Sequence, residues 1–183
     1  STFRELKNAK NSALNIVQCA GSMIYLAKEF EDRYKIPFIR ISFFGIEDTI
    51  MSLRTIASTM SEITGDKNII TKTEFFIERK LEEIGNKLDF YRNRLKDKKA
   101  AVYVGGGFKA ISLIKQFRDL GMETVMVGTQ TGRPEEYETI RRLADTDTVI
   151  LDDANPTELE HFMRERGADI LVGGVKERPL AYK

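Results

Sequence analysis

The chain has one thiol, Cys19, in the stretch NIVQCAGSM (15–23), where an apolar run gives way to a turn of small residues. A lone cysteine closes no internal disulfide, and alone it completes neither a tetrahedral zinc site nor a four-thiolate iron-sulfur cluster. The residue type leaves two readings open: a buried small hydrophobe, or one ligand of a group completed by other residues. The other positions suited to chemistry are glycine-rich or acidic stretches: GGG (105–107), GTQTG (128–132), DDANP (152–156) and GGVKER (173–178). Glycines let bare backbone approach a bulky ligand, with N–H groups turned toward negative charge.

Familiar nucleotide motifs are absent. GGGFKA places Ala110 where G-x-G-x-x-G needs its last glycine, and nothing matches G-x-x-x-x-G-K-[ST]. Asp152 and Asp153 could suggest carboxylates for a ribose, but Asn155 ahead of Pro156 reads as a turn followed by a capped helix. The single histidine, His161, stands in TELEHFMRERG and reads as a structural or surface residue.

These stretches need elements to hold them. Leu14, Ile16 and Val17 predict a short strand, and Met23, Tyr25, Leu26 and Phe30 give a helical face over 22–34. IPFIRISFFG (36–45) predicts a strand, and the apolar spacing from Ile46 to Met60 a second amphipathic helix, ended at TGDKN. A period near 3.6 through Phe76, Ile77, Leu81, Ile84, Leu88 and Tyr91 predicts one long surface helix over 69–95, with a possible break at Gly85. KDKK (96–99) reads as a hinge. Beyond it, AAVYVGG, ETVMVGT, DTVILDD and DILVGG predict four strands starting near Ala101, Thr124, Thr148 and Ile170, with helices from about Lys109, Pro134 and Pro156 between them.

That alternation argues for an α/β fold: a Rossmann-like, doubly wound parallel sheet flanked by helices, preceded by a helix-rich segment from an adjoining α/β domain. The expected division is 1–45, the end of an α/β domain carrying Cys19; 46–98, a helical connection; and 99–183, the Rossmann-like domain, incomplete at its C-terminal end. Ligands of such sheets collect beyond the carboxyl ends of the strands, where the glycine-rich stretches fall. A chain of 183 residues, 42% hydrophobic and 31% charged, can bury one good core or two small ones. A net charge of +1 gives no field for nucleic acid, and no apolar run approaches the roughly 20 residues that span a bilayer. One cysteine without a disulfide framework suits a reducing cytoplasm. Starting without methionine and stopping at KERPLAYK, the chain reads as an excised fragment.

NIVQCAGSMIYLAKEFEDRYKIPFIRISFFGIEDTIMSLRTIA, AAVYVGGGFKAISLIKQFRDLGMETVMVGTQTG, VILDDANPTELEHFM and ILVGGVKERPLAYK resemble successive blocks of the nitrogenase component 1 type proteins. The similarity is greatest to the family's cofactor-assembly branch, the alpha-type subunit of the scaffold for the iron-molybdenum cofactor; it covers nearly the whole chain and is loose from Ser61 to Lys99. The resemblance implies a role for Cys19: in catalytic members, the cysteine at this strand-to-helix turn ligates iron at one pole of the cofactor. A thiolate is the soft ligand iron prefers, and a helix start lowers its pKa. Ser22 matches a hydroxyl that can bond the ligating sulfur; otherwise it would cap the helix. Gly105 and Gly106 match a glycine pair lying against the cofactor, and Lys176 a lysine near its organic-acid end.

Two positions after Gly106, where catalytic members carry a cofactor-contacting arginine, the chain has Phe108 followed by Lys109. Losing a fixed guanidinium suits a site that takes in an immature cluster and releases it. The resemblance therefore implies an assembly scaffold with no acid-base catalysis of its own. It would bind an iron-sulfur precursor of the iron-molybdenum cofactor, with Cys19 as metal ligand. Its expected partners are a beta-type subunit, in a heterotetramer, the nitrogenase iron protein, and precursor donor and carrier proteins. The cysteines of a subunit-bridging cluster would lie N-terminal to the chain and the other pole residue C-terminal, so the chain alone is expected to be empty. Alternatives are a catalytic alpha subunit or vanadium-type scaffold, and a small-molecule-binding α/β domain without a cluster.

Overall fold

The computed structural model describes residues 2–18 and 22–182. The chain divides into two compact units, Ser1–Glu83 and Ile84–Lys183.

In the first unit, α1 (Phe3–Asn8) leads to β1 (Asn15–Val17), which pairs in parallel with β2 (Phe38–Arg40), Ile16 opposite Ile39. Parallel strands need a crossover between them. Here it is α2 (Ile24–Tyr34), which begins two residues later than its apolar spacing suggests and buries Ala27. Lys35, at φ 57°, ends α2 and donates its N–H to Glu31 O at 2.9 Å. The strand expected over 36–45 is shorter than its apolar run because β1 offers only three residues to pair with. After Ile41 bonds Val17 O, Ser42 leaves the ladder: its N–H donates to Ser52 Oγ (3.0 Å) and its carbonyl accepts from the same hydroxyl (2.6 Å). Ser52 belongs to α3 (Ile46–Thr64), whose buried residues Ser52, Ala57 and Ser61 are all small. Gly65, at φ 75°, ends α3. The next helix, α4 (Asn68–Leu95), runs through Gly85 without a break. Arg54 of α3 and Glu74 of α4 form a bidentate pair, both contacts at 2.8 Å.

The second unit contains the parallel sheet. Its strands are β3 (Lys99–Val104), β4 (Glu123–Thr129), β5 (Val149–Asp152) and β6 (Ile170–Gly173), in the order β5-β4-β3-β6. Helices α5 (Gly107–Asp119), α6 (Pro134–Leu143) and α7 (Pro156–Arg166) connect them in turn. Alternation along β3 sends Ala100 and Val102 into a core with Leu113, Ile114 and Ile140, while Ala101 and Tyr103 pack on the other face with Met126 and Leu159. β3 and β4 are buried on both faces, which is why they read as continuous apolar runs.

Asn155 caps α7. Its side-chain oxygen accepts from Thr157 N–H (2.9 Å) and Glu158 N–H (3.1 Å), and Glu158 Oε2 accepts from Asn155 N–H (2.9 Å). The cap reading of DDANPTE holds. Among the described residues, no helix is long and apolar enough to cross a membrane.

Candidate functional site

The strand order sets where a ligand can lie. The chain moves outward from β3 to β4 to β5, then α7 carries it back across the sheet to β6, on the far side of β3. Connections therefore diverge between β3 and β6, and in open parallel sheets ligands bind beyond the carboxyl ends of the strands at such a switch point. The loops leaving them are Gly105–Gly106 and Gly174–Glu177. The second unit thus brings Gly105, Gly106, Phe108, Lys109 and Lys176 to one edge of its sheet.

The three consecutive glycines differ. A Cβ built on Gly107, which is buried, would meet Glu136 Cβ at 2.7 Å, so this glycine is required by packing of α5 against α6. A Cβ on Gly105 or Gly106 would meet nothing within 4 Å, and neither has the positive φ that favours glycine. Internal packing and backbone conformation give no reason for glycine at these two positions; what glycine leaves there is open space against bare backbone. Gly106 starts α5 without a side-chain cap; in the first turn Lys109 N–H donates to Gly106 O at 3.2 Å. The turn itself is held from β4, since Gly105 O accepts from Thr131 N–H (2.9 Å) and from the Thr131 hydroxyl. Phe108 is half-buried and Lys109 exposed.

Lys176 is exposed and lines a cavity of about 220 Å³ with Tyr103, Gln130, Asp153 and Glu177. The glycine pair does not line that cavity. Tyr103 forms part of its wall, its hydroxyl donating to Ala154 O at 2.9 Å; burial, with the Asp153 charge, pushes this phenol above its ordinary range. Tyr137 lies under the β4 loop, 2.8 Å from Thr129 Oγ1 and 2.9 Å from Asp152 Oδ1, and burial raises it too. Both hydroxyls stay neutral and serve as anchors.

Sequence reasoning missed Glu177 and Tyr137. Glu177 sits in an exposed-looking GGVKER and Tyr137 in the acidic EEYET, and neither local pattern signals burial. Ser22 is exposed and stands one residue before Met23, whose φ of 65° opens α2. Cys19 lies outside the described residues; Ser22 is in the first unit and the glycines are in the second. His161 is exposed on α7, with Nε2 3.5 Å from Glu165, as a surface histidine would be. Among the described residues, no group of three or more His, Cys, Asp or Glu could hold a metal ion.

The whole chain, residues 1–183, matches the model of the family described as Nitrogenase component 1 type Oxidoreductase. It is 60% identical over 183 residues to the nitrogenase iron-molybdenum cofactor biosynthesis protein NifE of Clostridium pasteurianum, a match covering 100% of this chain and 39% of that protein. The protein of the same name from Methanosarcina barkeri is 45% identical with the same coverage. The nitrogenase molybdenum-iron protein alpha chain of Methanothermobacter thermautotrophicus is 36% identical over 181 residues, 98% of this chain and 37% of that one. In fold, the chain is similar to the structure titled Nitrogenase Cp1 at pH 5, with a TM-score of 0.79 at 23% identity, covering 98% of this chain and 41% of that chain. The chain thus spans about two-fifths of the length of these relatives.

Proposed function

Because the chain belongs to the nitrogenase component 1 type oxidoreductase family, we propose that it forms the cargo-binding part of a scaffold on which the iron-molybdenum cofactor is assembled. The observation that carries this reading is the 60% identity, over all 183 residues, with a relative named for iron-molybdenum cofactor biosynthesis.

The cargo is an iron-sulfur precursor, a large polyanion that the scaffold accepts, holds during maturation and passes on. Cys19 supplies a soft thiolate to its iron, and the Ser22 hydroxyl bonds the ligating sulfur. Gly105 and Gly106 let the cluster rest on bare backbone, a fit supported by the open space at both Cβ positions. The α5 amides beside them favour negative charge. Lys176 offers a mobile ammonium to the organic-acid end of the maturing cofactor, and Lys109 a second one near the glycines. Phe108 gives an apolar contact where an arginine would grip. This chain therefore contributes one covalent ligand, bare backbone and flexible ammonium groups, a combination that permits release. A catalytic alpha-chain role, suggested by the 36% identity to such a chain, is disfavoured by the same phenylalanine. The scaffold pairs with a beta-type subunit in a heterotetramer, receives electrons from the nitrogenase iron protein, and exchanges cargo with donor and carrier proteins.

The test uses the full-length protein with its beta-type partner. Cys19→Ala removes a small side chain, and a truncation of that size costs about 1–2 kcal/mol, so the fold and the bridging cluster should survive. Iron beyond the bridging cluster, and transfer of active cofactor to apo-dinitrogenase, should both fall. Wild-type values for both would show the thiolate assignment to be wrong.

A further inference from the structure

The loop after β6 contains a carboxylate that the proposed cargo site does not use. Glu177 is 6% exposed, while its neighbours Lys176 and Arg178 are exposed. Its Oε2 accepts from Gly174 N–H at 2.7 Å, and its Oε1 accepts from Gln130 Nε2 at 3.3 Å. Its own N–H donates to Gly174 O at 3.2 Å, and its carbonyl accepts from Leu180 N–H at 3.0 Å. Side chain and backbone of one residue therefore close the turn that carries Lys176.

Both preceding glycines are shaped by this carboxylate. A Cβ on Gly173 would lie 2.9 Å from Glu177 Cβ, and one on Gly174 would lie 2.9 Å from Glu177 Oε2. Neither glycine has a positive φ, so the need for glycine comes from the space Glu177 occupies. Among the described residues no cation pairs with Glu177. Burying a carboxylate on two hydrogen bonds is an expensive way to fill a cavity, and an apolar side chain of similar size is often as stable or more so. What the carboxylate supplies beyond volume is direction: one arm on the β6 loop and one on Gln130 of the β4 loop.

We propose that Glu177 is a positioning residue: a buried clasp that ties the loop after β6 to the loop after β4 and fixes the backbone from which Lys176 projects. The consequence for cargo rests on the assignment of Lys176 above; the clasp itself does not.

The experiment compares Glu177→Leu, Glu177→Gln and Lys176→Met in the full-length protein with its partner. It reads amide hydrogen exchange at residues 174–176 and iron loaded beyond the bridging cluster. Leucine fills the space and removes both acceptors. Glutamine keeps an oxygen for Gly174 N–H and, with Gln130 turned, a donor for Gln130 Oε1. Expected are at least tenfold faster exchange at Gly174 in Glu177→Leu, loading as low as in Lys176→Met, and near-wild-type behaviour of Glu177→Gln on both readouts. Gly174→Ala, which drives a methyl onto Oε2, reads the same amide position and decides the matter if Glu177→Leu does not fold. Unchanged exchange at 174 overturns the clasp, as does wild-type loading in Glu177→Leu where Lys176→Met lowers it. If Lys176→Met itself loads normally, the cargo role of Lys176 is wrong, and the exchange result alone decides the clasp.

Discussion

Three adjacent glycines with different surroundings allow function and folding to be separated one residue at a time. Gly107→Ala forces a methyl against Glu136, whose Oε2 accepts from Arg133 N–H at 2.9 Å to start α6. Overpacking of this kind costs about 1–3 kcal/mol, so the urea midpoint should fall. Gly105→Ala and Gly106→Ala meet open space at ordinary φ, and should move stability by less than about 1 kcal/mol in either direction. If the cargo rests on this backbone, those two variants should nonetheless lose precursor loading in the full-length complex. Gly105→Ala and Gly106→Ala proteins that load normally would remove the glycine pair from the site.

At the scale of elements, individual polar contacts secure the ends of strands and helices. Asn155 satisfies two amides at the start of α7 and is itself bonded by Glu158, so Asn155→Ala should cost about 1 kcal/mol, read as a lowered denaturation midpoint. At the opposite end of the sheet, Asp169 joins the start of β6 to that of β3, accepting from Lys99 N–H (2.8 Å) and Lys98 Nζ (2.9 Å). The backbone bond from Lys99, then the Lys98 ammonium, hold this carboxyl below its ordinary range. A group whose folded pKa lies below its unfolded value of about 3.9 contributes fully above that value and loses its contribution as pH falls through the folded one. Acid titration of stability should therefore show a smaller loss below pH 4 in Asp169→Asn than in wild type. Equal losses would mean the carboxylate contributes nothing to the fold.

For the molecule as a whole, burial is uneven between the units. In the second, Ala100, Ala101, Val102, Met126 and Val127 are fully buried in the two central strands; in the first, the sheet is two strands of three residues, and residues 68–83 of α4 bury only Ile77. Native-state hydrogen exchange should find its slowest amides in β3 and β4, and faster exchange in β1 and β2. The chain also has one cysteine and one histidine in 183 residues, the latter exposed and beside Glu165. With a single soft ligand, the chain by itself should purify without stoichiometric iron and sulfide, and metal removal should leave its thermal transition unchanged.

What sequence alone determined was whatever depends on local period and on strand order along the chain. Continuous apolar runs separated by amphipathic helices require a parallel sheet, and a parallel sheet puts its glycine-rich loops at the carboxyl edge; Asn155 ahead of Pro156 names its own cap. Tertiary structure decided the rest, because partners distant in sequence set the outcome. IPFIRISFFG is β-branched and aromatic over most of its ten residues, yet pairs over three, since β1 supplies no more ladder and Ser52 captures the backbone of Ser42. Gly85 does not break α4, because a glycine costs a helix only about 1 kcal/mol and the surrounding turns continue past it. The different roles of Gly105 and Gly107 depend on Glu136, and the burial of Glu177 on Gln130, a residue 47 positions away. No local pattern encodes such meetings, because the fold first has to bring the two loops to one edge.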